Sequence, residues 1–392
     1  MLSVVSLHGL SKILILIQKT NDRNLFNTIL LISFLLLTNS YNGEYEINTS
    51  ANSSFYYLNI ANSYPEGLIL ESSSHSSQTY IHGERFLISY FVGFLSNLSN
   101  INSFYIFQAF TYFLISILII INYKIINKVI SQKNYSLLFF SLFLLNPYII
   151  RYSLSNPIMI NDLLFTLSIS ILFLSFLNKK NILFYIALFL AIISRQTSIL
   201  IILALIFSLV LPYKNEFIDL KKIIFSFLLI ATNYLISQQY LKISNITIFY
   251  DSQFIGLLDF IQKDFEILRF LKFLFLPFLS FGPLFATVIF LLLKRKIFLT
   301  INEKNVFFII LLILFVAQPF LTGPIVAGKN IIRLSTLGYA PIIFLLCLNL
   351  KNLGNLPKKI SIILFGIMFF WSLHPTFSNI RIFDTLTKFL NY

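Results

Sequence analysis

An arginine interrupts one of the longest apolar runs of this chain. The stretch "AIISRQTSILIIL" (residues 191–203) places Arg195 and Gln196 between two blocks of aliphatic residues. A guanidinium between apolar helices is costly unless it faces a cavity and meets an anion. Its planar fork suits phosphate or carboxylate, so we expect Arg195 to bind a phosphate group. The alternative is that Arg195 only anchors the chain through an internal carboxylate such as Asp162.

Three acidic residues stand where a general base is useful. Glu44 and Glu46 follow the first apolar segment, 25–38, by six and eight residues, so the membrane surface fixes their height. Asp162 comes after two Asn-Pro steps in "NPYIIRYSLSNPIMINDLLF", with Arg151 between the two steps. Because Asn-Pro marks irregular backbone, this segment brings an acid and a base to one corner. We predict Glu44, Glu46 and Asp162 as catalytic carboxylates, while helix capping accounts equally well for Asp162.

Further basic residues complete a candidate anion site. In "TGPIVAGKNIIRLSTLGYAP", Lys329 and Arg333 are four apart and can share one helix face. With Arg151 and Arg195 they form the predicted phosphate-binding set.

Substrate contacts and cofactors complete the predicted site. We expect three residues to contact substrate: His75, Arg85 and Gln196. The single cysteine, Cys347, excludes a cysteine metal cluster. We predict no metal site and no certain cofactor, and leave a divalent cation open.

The composition makes bilayer the solvent for most of the chain. Hydrophobic residues make up 57% and charged residues 11%, with a mean hydropathy of +0.83. The net charge of +14 does not indicate nucleic-acid binding, because the basic residues lie mostly in short loops between apolar segments. The 45 Phe residues, with long Ile/Leu runs among Asn and Lys, are typical of an AT-rich genome and favour a bacterial cytoplasmic (inner) membrane.

These features predict an all-α polytopic membrane protein with about eleven membrane segments, several shorter than the roughly 20 residues of a straight span. The predicted segments are 25–38, 103–123, 135–149, 161–177, 182–211 as two short helices, 223–237, 271–293, 306–320, 334–350 and 360–373. We divide the chain into a cytoplasmic segment 1–24, a multi-span domain 25–373 and an outer tail 374–392. Within the domain, 39–85 is a large first outer loop, and 238–270 is an outer loop with an amphipathic helix on the membrane surface.

The segment 182–211 determines the topology. As one helix it would be about 45 Å long, against a hydrocarbon core of roughly 30 Å. If it is a hairpin, the loops 212–222, 294–305 and 351–359 are cytoplasmic and hold ten Lys and Arg residues in 32 positions. A single span would instead place eight such residues in 66 positions on that side. The density of basic residues favours the hairpin, with "SRQTS" at its outer tip.

This topology separates arginine from lysine. Sixteen of eighteen basic residues on the predicted cytoplasmic side are lysines, whereas six of the eight arginines fall outside. Membrane insertion treats the two alike, so the outward arginines need another cause, and phosphate or carboxylate recognition supplies one.

Together, an acid beyond the first span, an acid with an arginine in the second outer turn, short broken helices with an outward polar tip, and a basic last outer loop resemble the C-type glycosyltransferase superfamily. "SRQTS" is also similar to the Arg-Gln-Thr motif of dolichol-pathway alpha-1,2-glucosyltransferases. The resemblance, over about 25–350, implies a hexosyl- or pentosyl-type glycosyltransferase that takes sugar from a polyprenyl-phosphate carrier on the outer face. The implied partners are that donor, a glycan, lipid or protein acceptor and membrane lipid, without nucleic acid. The usual first-loop Asp is represented here by Glu44 or Glu46, and an inverting or retaining outcome is left open.

Two other classes remain. A polysaccharide repeat-unit polymerase or ligase also uses outward arginines, but usually in one large late loop. A glycolipid transporter or flippase should show paired halves and mid-span ionisable groups. In this chain the charges cluster at one face instead.

Overall fold

A computed structural model gives the structure of the protein. It describes residues 53–66, 82–130, 133–212, 216–244, 256–263, 265–293, 302–303, 305–321, 323–326 and 334–349, together with the single positions 363, 367 and 371. Throughout these residues the regular structure is helical, and no strand occurs among them.

The helices follow one another with short connections. They are α1 (Ser53–Asn62), α2 (Phe86–Ser99), α3 (Ser103–Val129), α4 (Lys133–Leu144), α5 (Tyr152–Ser155), α6 (Ile160–Asn178), α7 (Asn181–Ser194), α8 (Ile199–Val210), α9 (Leu220–Ile243), α10 (Gly256–Lys263), α11 (Ile267–Phe281), α12 (Pro283–Leu293), α13 (Val306–Leu321), α14 (Gly323–Val326) and α15 (Tyr339–Asn349). A π-helical turn, Pro147–Arg151, precedes α5, and 3-10 turns precede α6, α8 and α15 at Pro157–Met159, Gln196–Ser198 and Thr336–Gly338.

Three of the described helices are long and apolar enough to cross a membrane: α3, α6 with its preceding turn from Pro157, and α9. Several shorter apolar helices accompany them, including α2, α7, α8 and α13. The chain is therefore a helical membrane protein, as its composition predicts.

Several predicted segments match helices, and others need correction. The predictions 103–123, 161–177 and 306–320 match α3, α6 and α13 within a few residues, except that α3 continues to Val129. The predicted span 271–293 is two helices that meet at Gly282, whose φ of +42° does not continue a helix. The predicted span 223–237 is too short, because α9 runs on to Ile243. The apolar helix α2 was missed. The predicted span 25–38 lies outside the described residues.

The segment 182–211 is broken at Arg195, as predicted, and α7 and α8 run in opposite directions. Lys179, two residues before α7, forms an ion pair of 3.2 Å with Glu216, which follows the end of α8. The start of α7 and the end of α8 are therefore at the same end of the bundle, and the junction between the two helices is at the opposite end. We call the first the lysine-rich end, after Lys128, Lys179, Lys180 and Lys222, and the second the tip end.

The helix α6 is the centre of the bundle. Over an apolar 18-residue stretch of its span, 78% of the residues are buried, compared with 33% for α3 and 22% for α9. Aromatic stacking joins it to its neighbours, with Phe173 on Phe344 at 4.2 Å and Phe176 on Phe307 at 4.7 Å between ring centroids. Asn122 of α3 donates a hydrogen bond of 3.2 Å to Ser170 of α6, and both residues are buried. The outer face of α9 carries exposed apolar side chains that suit contact with lipid.

The helix α1 belongs to the predicted outer loop 39–85 and packs directly on α2. A glycine makes this packing possible, because a Cβ at Gly93 would lie 2.3 Å from the backbone oxygen of Ala61. His82, just before α2, stacks on Tyr56 and approaches the hydroxyl of Tyr57 at 3.1 Å. These contacts fix the segment that leads into Glu84 and Arg85.

Candidate functional site

The hairpin tip is formed by a change in backbone conformation at Arg195. The helix α7 ends when Arg195 adopts an extended backbone, with φ −153° and ψ 141°, and the turn Gln196–Ser198 then starts α8. The Arg195 amide still donates to Ala191 O at 3.0 Å, which closes the last turn of α7. Because extended residues place successive side chains on opposite sides, Arg195 points into the bundle and Gln196 points outward. Their exposure agrees, since Arg195 is 2% exposed and Gln196 is exposed.

A buried ion pair joins the tip to α6. Arg195 Nη1 donates a hydrogen bond of 2.6 Å to Asp162 Oδ1, and the Asp162 side chain is 15% exposed. Asp162 is in the first turn of α6, where the helix dipole favours a negative charge. Such a pair is short and strong because both partners are charged. Thirty-three positions separate these residues in the sequence, and only the fold brings them together.

Two buried amides lie close to Asp162 in the chain. Asn156, which is 2% exposed, comes just before the turn Pro157–Met159, and Asn161, which is 1% exposed, is in the first turn of α6. Within the described part of the chain, neither amide atom of Asn161 has a hydrogen-bond partner, and the same holds for Asn156 Oδ1. Buried amides are normally hydrogen-bonded, so this region has the capacity to bind a polar ligand.

A second polar cluster lies on the side of the tip that faces away from the Asp162–Arg195 pair. Arg85 Nε and Nη2 donate to Gln196 Oε1 at 2.9 and 2.5 Å, and Gln196 Nε2 donates to the Glu84 carboxylate. One amide thus bridges two neighbouring residues of opposite charge. The Ser237 hydroxyl of α9 donates to the Glu84 backbone oxygen at 3.1 Å. The entrance to α2, the hairpin tip and α9 are held together by these bonds.

These three elements enclose a cleft of about 160 Å³. Its polar lining consists mainly of Glu84, Arg85, Gln196, Asn233, Tyr234 and Ser237. Its apolar lining is three isoleucines: Ile192, Ile199 and Ile230. Residues 230, 233, 234 and 237 form one stripe on α9, at the spacing of a single helix face. An apolar wall with a few convergent polar groups is typical of small-molecule sites, and this cleft is smaller than the roughly 300–1,000 Å³ of a drug-sized ligand site.

The structure places five of the ten predicted site residues. Asp162, Arg195, Arg85 and Gln196 lie together at the hairpin tip, in the two clusters on its inner and outer sides. Arg151 ends the helical turn Pro147–Arg151 at the same end of the bundle. The other five lie outside the described residues, and their roles stay predictions: Glu44, Glu46, His75, Lys329 and Arg333.

The Asp162 pair restricts how Arg195 could bind a phosphate. Its Nη1 donates to Asp162 and its side chain is buried. A phosphate that binds Arg195 must therefore share the guanidinium with the Asp162 carboxylate or displace that carboxylate. The structure contains the Asp162–Arg195 pair that the alternative hypothesis, an anchoring role for Arg195, predicts. Whether Arg195 also binds phosphate stays a prediction.

Five polar residues of the cleft lining were not predicted as site residues: Glu84, Ser198, Asn233, Tyr234 and Ser237. The sequence carries a signal for the last three, because they lie at helical spacing on an otherwise apolar segment. All three lie within the predicted span 223–237, whose helix continues to Ile243.

No protein-family model matches the chain, and neither a curated protein nor a solved structure shows significant similarity to it.

Proposed function

We propose that the protein is a membrane glycosyltransferase that transfers a sugar from a polyprenyl-phosphate carrier to an acceptor at the tip end of the bundle. The observation that carries this proposal is the Asp162–Arg195 pair, at 2.6 Å, held inside a hairpin tip that also borders a polar cleft. A carboxylate can accept the proton of the acceptor hydroxyl, and a guanidinium can stabilise the departing phosphate.

The chemistry follows from the substrates. The acceptor hydroxyl oxygen forms a bond with the anomeric carbon, while the bond between that carbon and the phosphate oxygen breaks and its electron pair leaves with the phosphate. The hydroxyl proton passes to a carboxylate, for which Glu44, Glu46 and Asp162 are the candidates. Negative charge accumulates on the departing phosphate, and fixed cations in a site of low dielectric constant stabilise it strongly. Arg195, with Arg151, Lys329 and Arg333, is the proposed source of that charge.

The position of the pair favours an enzyme over a transporter. Asp162 is in the first turn of α6, at one end of the span. Transporters usually place their ionisable groups near the middle of the membrane, where the substrate is occluded. A pair at the end of a span instead meets a headgroup at the membrane boundary, where a carrier lipid presents its phosphate and sugar.

Sugar transfer by the purified full-length protein tests the proposal. The protein in detergent micelles is incubated with a panel of polyprenyl-phosphate sugars and membrane-lipid acceptors, and products are identified by mass spectrometry. We expect transfer from one donor, reduced about 100-fold or more by Glu44→Gln or by Asp162→Asn, because loss of a positioned base costs about 10²–10⁴ in rate.

The control is Glu216→Gln, which removes an exposed carboxylate at the lysine-rich end and should leave the rate unchanged. No transfer from any donor, or equal rates for all four proteins, would overturn the proposed function.

A further inference from the structure

The cleft beside the hairpin tip has two chemically different walls. We infer that it binds a membrane amphiphile with a neutral, hydroxyl-rich headgroup. The further assignment of this ligand as the acceptor of the transfer rests on the proposed function.

The polar wall matches hydroxyl groups better than an anion. Glu84 only accepts hydrogen bonds, Arg85 only donates them, and the amides of Gln196 and Asn233 do both. Hydroxyl groups also donate and accept, so a polyol can use every member of this wall. The formal charges of Glu84 and Arg85 cancel, and a phosphate, which mainly accepts, would meet the Glu84 carboxylate as a like charge.

The other wall suits a hydrocarbon chain. Ile192, Ile199 and Ile230 line it, and Ile199 is 47% exposed. Tyr234, at the border between the two walls, is 44% exposed. The apolar wall therefore continues into the exposed apolar face of α9, which lipid can cover. A free sugar would leave the exposed Ile199 uncovered, whereas a lipid-borne sugar would remove it from water.

The site also lies beside the inner ion pair. Gln196 belongs to the cleft and the preceding residue, Arg195, belongs to the pair, with the tip backbone between them. A headgroup held by Gln196 is thus one residue away from the guanidinium proposed to hold the donor phosphate. The headgroup and the donor phosphate would thus be held by adjacent residues of one tip.

Photolabelling tests the ligand class without requiring catalysis. The probe is octyl glucoside that carries a diazirine in its octyl chain, added to the full-length protein in a detergent without sugar, such as dodecyldimethylamine oxide. Labelled peptides are mapped by mass spectrometry. We expect labelled peptides within 192–201 and 220–243, and we expect excess unlabelled octyl glucoside to prevent this labelling by displacing the probe. Methyl glucoside, which lacks the chain, and octyl phosphate, which is anionic, should displace the probe far less well.

Two variants make the test specific. Gln196→Leu should weaken probe binding about 10-fold, because it removes the amide that joins both charged residues of the polar wall. Gln108→Leu is the matched control, since Gln108 is on α3 and bonds only to Tyr112 in its own helix among the contacts described. If Gln196→Leu is not monodisperse in size-exclusion chromatography, Asn233→Leu replaces it.

Each outcome has a separate meaning. Displacement by octyl phosphate as effective as by octyl glucoside would overturn the neutral headgroup, and equal displacement by methyl glucoside would overturn the lipid-borne ligand. Labelling of Gln196→Leu or its replacement equal to wild type would remove the cleft as the site. Specific labelling without any sugar transfer would support the ligand class and reject the proposed function. Sugar transfer without labelling would support the proposed function and reject the ligand class.

Discussion

Breaking the Asp162–Arg195 pair should destabilise the protein far more than breaking an exposed pair. Arg195 is 2% exposed and its partner 15%, so removing either residue leaves a buried charge without its counter-ion. Such a loss costs about 3–5 kcal/mol. For a chain of this size roughly 2 °C of melting temperature corresponds to 1 kcal/mol, which gives a decrease of about 6–10 °C. Asp162→Asn should cost more than Arg195→Met, because the arginine is the more deeply buried charge.

The assay is thermal unfolding in detergent, followed by intrinsic fluorescence, for Asp162→Asn, Arg195→Met and the double variant. The double variant should lose less than the sum of the single losses, because neither charge then remains unpaired. The matched control is the exposed pair Lys179–Glu216, whose side chains are 69% and 83% exposed. Its single variants should change the melting temperature by about 2 °C or less.

Two results would refute this reasoning. Single losses at the buried pair no larger than those at the exposed pair would show that Asp162 does not compensate the charge of Arg195. Strictly additive losses in the double variant would show that the two residues act independently. Arg195→Lys separates stability from chemistry, because it keeps the charge and loses the planar fork. If the phosphate role is correct, this variant folds but transfers sugar much more slowly, and undiminished transfer would leave Arg195 with an anchoring role only.

Three further predictions concern the scaffold. Gly93→Ala should lower the melting temperature and loosen α1 from α2, because the new Cβ would lie 2.3 Å from an α1 backbone oxygen, and limited proteolysis of the variant would reveal the separation. Asn122→Leu should cost about 0.6 kcal/mol, up to ~1.7, since it removes the bond between α3 and α6, and a variant as stable as wild type would mean that this bond contributes nothing. Cysteines introduced at 180 and 216 should react alike with an impermeant thiol reagent in intact cells, because both positions lie at the lysine-rich end, and we expect both to be shielded. Labelling of only one of them would contradict the hairpin.

The sequence by itself determined the protein class and the break at Arg195. Both depend on local composition: an apolar run must be helical in lipid, and a guanidinium with neighbouring polar residues interrupts it. The sequence also predicted that the start of α7 and the end of α8 lie on the same side, because basic residues accumulate in the loops on one side. The helix α2 was missed for a related reason. Its 14 residues are fewer than a full span needs, and its Ser, Gly and Asn residues weaken its apolar signal.

Only the tertiary structure decided which groups meet. The sequence offered Asp162 as one partner among several for Arg195, and packing of the hairpin tip on the start of α6 selects it. The bridge from Arg85 to Gln196 joins residues 111 positions apart, and the stripe on α9 becomes a cleft wall only where α2 and the tip close over it. Hydropathy and charge patterns act within a segment, whereas these contacts depend on the relative rotation and depth of separate helices, which packing in three dimensions fixes.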